Sequence, residues 1–210
     1  MKDEIIFYTN PRSRGAIVHW MLEEVGCPYR VQVVPYGPPM KSPEYLAINP
    51  MGKVPALRHG AEVVTETAAI CAYLADAFPE AGLAPPPPAR GAYYRWLFFA
   101  AGCLDPALIH RSAGWEPTPE MQGRLGYGTL EQTLEALAGW LRGRRYIVND
   151  RFSAADVYVA SLLEFSMTFQ LVPRRPEFEE YVGPLLARPA RQRAQEQIQR
   201  MEVEPQTQGS

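Results

Sequence analysis

Cysteine is scarce in this chain. Its 210 residues include three, Cys27, Cys71 and Cys103, all far apart. That number and spacing exclude a disulfide framework and a thiolate metal site, and they suit a reducing cytosol in which each thiol serves as a small buried hydrophobe. Basic excess is missing too: 21 Lys and Arg stand against 23 Asp and Glu, a formal net charge of −2. Such a balance offers no field to draw in phosphates, so neither nucleic acid nor an anionic membrane is an expected partner. No apolar run approaches the roughly 20 residues that a membrane-spanning helix needs. Met1-Lys2-Asp3-Glu4 leads straight into a strand-like run, without the basic start and apolar stretch of a signal peptide. Internal repeats and coiled-coil heptads are absent. What is left is a soluble, cytoplasmic chain, 47% hydrophobic, long enough for one large domain or two small ones.

The pattern along the chain favours two. Ile5-Ile6-Phe7-Tyr8 is short, apolar and β-rich, as a buried strand would be. Asn10-Pro11-Arg12-Ser13 breaks it. From Gly15 to Val25 the apolar residues Ile17, Met21, Leu22 and Val25 share one helical face, and Gly26 is a good stop. Tyr29 to Val34 alternates like a second strand, completing a βαβ unit. A proline-rich loop follows (Pro35, Pro38, Pro39, Pro43). Val54-Pro55-Ala56-Leu57 and Glu62-Val63-Val64 read as two short strands around His59-Gly60, and Thr67 to Phe78 as a helix. The first part is therefore βαβ–ββα, residues 1–79. Residues 80–90 form a linker, because Pro85-Pro86-Pro87-Pro88 can neither extend a helix nor join a sheet interior. Beyond it the chain is all-helical over 91–202, with helices expected near Gly91–His110, Pro119–Arg142, Ser153–Gln170, Glu177–Ala187 and Pro189–Met201. Residues 203–210 are polar and expected to be a flexible tail.

Four segments have the makings of chemistry. Tyr8-Thr9-Asn10-Pro11-Arg12-Ser13-Arg14 stands where a buried strand passes to a helix, whose free N–H groups and positive end favour an anion. A thiol held there is pushed toward thiolate. With no cysteine at this turn, the thiol must belong to a ligand. Ser13 can donate a hydrogen bond to it, or simply cap the helix. Val54-Pro55 precedes a strand; a cis bond there would expose the Val54 backbone to an extended peptide. Thr65-Glu66-Thr67 opens a helix, so Thr67 and nearby N–H groups can hold a carboxylate and Glu66 an ammonium; ordinary capping is the plainer alternative. Ser153-Ala154-Ala155-Asp156 is a capping box, flanked by Phe152 and Val157 as its staple, and reads as structural.

These segments, in this order, resemble the cytosolic glutathione transferases. The matching stretches are Phe7-Tyr8-x-x-Pro11-x-Ser13, Asn49 through Leu57, Glu66-Thr67-x-Ala69-Ile70 and Ser153-Ala154-Ala155-Asp156, spread over roughly residues 4 to 190. The resemblance implies an α/β plus all-α fold, with a thioredoxin-like N-terminal domain and an all-helical C-terminal one. It implies glutathione as co-substrate, no metal, and a homodimer. Val54, with a cis Val54-Pro55 bond, would pair with the cysteinyl part, Glu66 and Thr67 would hold the γ-glutamyl group, and Lys53 would lie near the glycine carboxylate. Asn10 completes the expected glutathione set. The serine-type pattern places the catalytic hydroxyl at Ser13, although Arg14-Gly15-Ala16 replaces the usual cysteine and arginine opening the helix. Tyr8 and Arg12 are the alternatives.

The implied reaction is attack by the glutathione thiolate on a small hydrophobic electrophile lodged between the domains. Phe99, Gly102, Cys103 and Pro106 are the expected pocket, with Gly102 and Pro106 leaving room; core packing is the plainer role for Trp96, Phe98 and Phe99. Tyr93, Tyr94 and Trp96 suit either an interface or a core. A glutathione-dependent peroxidase, disulfide reductase or isomerase would use the same thiolate, and a non-catalytic binding module would share the fold.

Overall fold

A computed structural model describes residues 4–203. They divide into two compact units: Ala81 and the residues before it together with Arg188 onward, and Gly82–Ala187.

In the first unit the elements run β1 (Ile5–Thr9), α1 (Gly15–Val25), β2 (Arg30–Val33), α2 (Pro43–Leu46), β3 (Ala56–His59), β4 (Glu62–Thr65) and α3 (Thr67–Ala77). The sheet order is β2-β1-β3-β4, with β2 parallel to β1 and the other pairs antiparallel. This is the expected βαβ–ββα thioredoxin-like layout. β1 is a central strand, so Ile5, Ile6 and Phe7 are all buried and its sequence opens as an apolar run rather than an alternation. Gly26 ends α1 in the left-handed region, φ 74°, and its N–H donates to Leu22 O. The proline-rich loop has more order than its composition suggests. Ser42 Oγ accepts from Tyr45 N at 3.2 Å, and Pro43 occupies the first turn of α2, where a missing N–H costs nothing.

The second unit is helical: α4 (Gly91–Phe99), a π turn at Ala100–Leu104, α5 (Asp105–Ser112), α6 (Pro119–Gln122), α7 (Leu130–Leu141), α8 (Ala154–Thr168) and α9 (Pro176–Leu186). Two expected helices differ. The one near Gly91–His110 widens at its middle: Pro106 has no N–H to offer, and Asp105 N reaches back five residues to Ala100 O. The one near Pro119–Arg142 is two helices. Gly123, Gly126 and Gly128 interrupt it, and α7 starts afresh at a capping box in which Thr129 Oγ1 accepts from Gln132 N while Gln132 Oε1 accepts from Thr129 N. Tyr93 and Trp96 are core residues, whereas Tyr94 lies 41% and Phe98 72% exposed.

The last helix, α10 (Pro189–Val203), belongs with the first unit and packs on α1. The expected helical domain over 91–202 is corrected accordingly. Its partner is the acidic end of α1: Arg188 forks onto both Glu24 oxygens at 2.6 and 2.7 Å, Arg193 Nε meets Glu23 at 2.7 Å, and Gln197 Nε2 donates to Glu23 at 2.8 Å. Of the expected tail at 203–210, Val203 ends α10 and the rest lies outside the described residues.

One core residue on α1 is polar and lacks a hydrogen bond among the described residues. His19 is 1% exposed, edge-on to Phe7 with centroids 4.7 Å apart, and neither ring nitrogen has a hydrogen-bond partner among those residues. Burial lowers its pKa from 6.5 to about 4, against a weaker upward pull from Glu23. Folding therefore favours the neutral ring. That contribution is full above pH 6.5 and is lost as pH falls toward about 4. Between about pH 7 and about pH 5 the loss is about 2 kcal/mol. Urea unfolding at both pH values should show a loss about 2 kcal/mol larger in the native chain than in His19→Leu, a difference in which opposing titrations such as that of Asp156 cancel; equal changes in the two would remove His19 as the cause.

Candidate functional site

The turn after β1 is tied down by Asn10. Its side chain is 5% exposed, its Nδ2 donates to Val34 O at 3.2 Å, and its Oδ1 accepts from Arg12 N at 3.1 Å. Asn10 thus holds the turn to the end of β2, a role its expected place among ligand contacts did not foresee. Ser13 sits half-buried at the start of α1. Its Oγ donates to Asn10 O at 2.6 Å and accepts from Gly15 N at 3.0 Å. Gly15 is where the chain departs from the serine-type pattern, and the packing explains it: a Cβ there would stand 1.9 Å from Thr9 Oγ1.

The alternatives at this turn are placed differently. Tyr8 is half-buried against the cluster of Val34, Met40 and Tyr45, on which Ile48 and Val54 also pack. Arg12 points into solvent with its side chain 80% exposed, 3.8 Å from Glu202. Sequence spacing gave no sign of Tyr36, whose hydroxyl donates to Arg12 O at 2.9 Å and straps the proline loop to the turn.

The Asn49–Pro55 loop is equally well held. Asn49 Nδ2 and Tyr45 Oη both donate to Lys53 O, at 2.8 and 2.6 Å. Lys41 Nζ donates to the carbonyls of Met51 and Gly52 at 3.0 and 3.2 Å. Gly52 has φ 57°, and a Cβ there would lie 2.5 Å from Met40 O. The Lys53 ammonium is exposed and Lys41 is occupied, so of the two lysines here Lys53 is the one with no partner among the described residues. The Val54-Pro55 bond is cis. Among the described residues, the Val54 N–H and C=O have no hydrogen-bond partner.

Glu66 occupies an unusual backbone position, φ 66° and ψ 119°, between β4 and α3. A non-glycine residue held there carries about 1–3 kcal/mol of strain, and such strain gathers at functional sites. Its exposed carboxylate and the hydroxyl of Thr67, itself 8% exposed, are without partners among the described residues. Strand register brings all three segments to one end of the sheet. Tyr8 pairs with Ala56, and Ala56 with Thr65. Ser13 follows β1, Val54 precedes β3 and Glu66 follows β4, so the three leave the sheet from a single row. Two strand spacings separate the outer members, about 10 Å.

In the second unit, Phe99 is half-buried with its ring edge-on to Trp96, centroids 5.0 Å apart. Gly102 is exposed on the π turn, with nothing within 4 Å of where a Cβ would be, and Pro106 is half-buried. Cys103 Sγ donates to Gly126 O at 3.4 Å. All three thiols are raised by burial, Cys71 to about 12, so none is an activated nucleophile. Among the described residues no cluster of side chains suits a metal ion, and no helix is long and apolar enough to cross a membrane.

A thioredoxin-like sheet unit joined to an all-helical unit, with a cis-proline loop and a helix N-terminus opening beside it, defines a class of thioredoxin-fold proteins that carry a helical second domain. Residues 15–77 match the model "Glutathione S-transferase, N-terminal domain", and residues 127–189 match "Glutathione S-transferase, C-terminal domain". Glutathione S-transferase GST-4.5 of Xanthomonas campestris is 31% identical over 176 residues, 76% of this chain and 81% of the relative. The solved glutathione-S-transferase from Xylella fastidiosa is 26% identical, with TM-score 0.78 over 93% of this chain and 99% of that one. A glutathione transferase homolog from Sulfitobacter, solved with bound glutathione, is also 26% identical, with TM-score 0.73 over 94% and 99%. The chain belongs to the cytosolic glutathione transferase family of enzymes.

Proposed function

We propose that this enzyme binds glutathione along the row formed by Ser13, Val54 and Glu66–Thr67, and holds its thiol ionised beside Ser13 for attack on a hydrophobic electrophile. The single observation behind this reading is the Tyr8–Ala56–Thr65 register, which delivers three sets of polar groups to one end of the sheet. A three-residue extended peptide spans about 10 Å, the same distance as two strand spacings. The free Val54 backbone pairs with the central residue, while Glu66 takes the ammonium and Thr67 the carboxylate of the γ-glutamyl group. Lys53 suits the glycine carboxylate. The electrophile pocket is Phe99, Gly102, Cys103 and Pro106. A homodimer is part of the same proposal, and the exposed pair Tyr94 and Phe98, centroids 6.4 Å apart on α4, offers apolar surface for it.

Calorimetry with glutathione tests the reading. Saturable heat at millimolar glutathione or below is the expected result, and Thr67→Val should weaken it about tenfold by removing one hydrogen bond to a charged group. A well-folded chain that takes up no glutathione at these concentrations would leave a family fold without its binding site.

A further inference from the structure

Several arginines of the second unit are paired with acids. Arg111 meets Glu116, Arg124 meets Glu120, Arg142 meets Glu177, and Arg175 meets both Glu131 and Glu135. Two that are not lie against one indole. The Arg95 guanidinium, from α4, sits 4.7 Å from the Trp96 ring centroid and 5.2 Å from that of Trp140 on α7. The Arg144 guanidinium, just past α7, sits 4.1 Å from the Trp140 centroid. Neither has an acidic partner among the described residues, and both are exposed. Since both lie against the same ring, their guanidinium carbons are no more than about 9 Å apart.

We propose that Arg95 and Arg144, held against Trp140, form a binding site for a tetrahedral oxyanion of the phosphate or sulfate class. Three points carry it. Trp140 is fixed, because its Nε1 donates to Ile147 O at 2.9 Å, so both guanidiniums rest on a rigid platform. Stacking leaves the edges of a guanidinium, where its N–H forks are, free for a ligand. Two forks need at least four acceptor positions. A tetrahedral oxyanion presents separate oxygens in different directions, enough for its own pair to each fork at about 2.7–2.9 Å, whereas a carboxylate has only two coplanar oxygens, which the two forks would have to share. Arg145 follows Arg144 in sequence and has no acidic partner among the described residues either, so unpaired positive charge is present here although the chain as a whole carries −2. The attraction is therefore local rather than a field of the whole surface.

The probe is inorganic pyrophosphate, titrated into the full chain at constant ionic strength. The indole N–H resonances of Trp96 and Trp140 report the site, and calorimetry gives the affinity. Saturable binding is expected, with both indoles shifting. Arg95→Gln and Arg144→Gln should each weaken it about tenfold, the usual consequence of losing a charge-assisted fork, and the double variant should abolish it. Arg124→Gln, a paired arginine of the same unit, should leave it unchanged. Titration with a sulfated or phosphorylated aromatic monoester then asks whether a ligand-borne oxyanion binds as the free ion does; equal or tighter binding extends the site to such ligands, and binding of pyrophosphate alone confines it to free oxyanions. Shifts that grow linearly without saturating, or equal affinity in the double variant, would overturn the proposal.

Discussion

Ser13→Ala is expected to lower turnover about tenfold while glutathione still binds within about threefold, and to move the acid limb of the rate profile about one pH unit higher. A hydrogen bond from a hydroxyl to an anion contributes about 1.5–3 kcal/mol, but the Ser13 hydroxyl is already donating to Asn10 O at 2.6 Å. Turning to a thiolate exchanges that neutral bond, worth about 1 kcal/mol, for the charged one. The net gain is thus about 0.5–2 kcal/mol, or up to about 1.5 pH units on the thiol. The N-terminus of α1 adds about 0.3–1 kcal/mol and survives the substitution. Removing the hydroxyl raises the pKa of the bound thiol, so less thiolate is present at neutral pH. Ser13→Thr, which keeps a hydroxyl, should restore most of the rate. If Tyr8→Phe produced the loss and Ser13→Ala did not, the activating group would be Tyr8.

The largest effect on stability is expected at Asp156, at the start of α8 in the core of the second unit. Its carboxylate is fully buried and accepts from Ile147 N at 2.7 Å and from Ser153 N, Ser153 Oγ and Tyr181 Oη at 2.9 Å each. Burial raises its pKa from 3.8 to about 6 in spite of those four donors, so at neutral pH it is an anion whose oxygens are all engaged. Asp156→Ala strands the donors, each buried unsatisfied group costing about 1–3 kcal/mol, and should destabilise the chain by at least about 3 kcal/mol in urea unfolding. Asp156→Asn keeps one acceptor oxygen and should lose less. A loss under about 1 kcal/mol for the alanine variant would show that the network is dispensable.

Asp156 also shows what was legible in the sequence. Its capping box with Ser153 spans three residues and could be read directly. Its bonds to Ile147 and Tyr181 cross nine and 25 residues and could not. Local periodicity revealed β1, α1 and α3 because buried elements beside a central sheet leave strong apolar patterns. It missed the break before α7, although three glycines followed by Thr129 and Gln132 are a recognisable interruption. The assignment of α10 failed for another reason. That helix is polar, and its position depends on Glu23 and Glu24, some 165 residues away, which no local pattern reveals. At the site, the ordered motifs identified the family, but the engagement of Asn10, the strap from Tyr36 and the strained backbone of Glu66 are products of the fold alone.

The ionisation of bound glutathione is the most direct measurement. Ultraviolet thiolate absorbance of the complex, followed across pH, should show the thiol titrating about one to two units below the free value of about 8.5. A bound thiol that titrates where free glutathione does would contradict the claim that this turn between β1 and α1 creates a nucleophile.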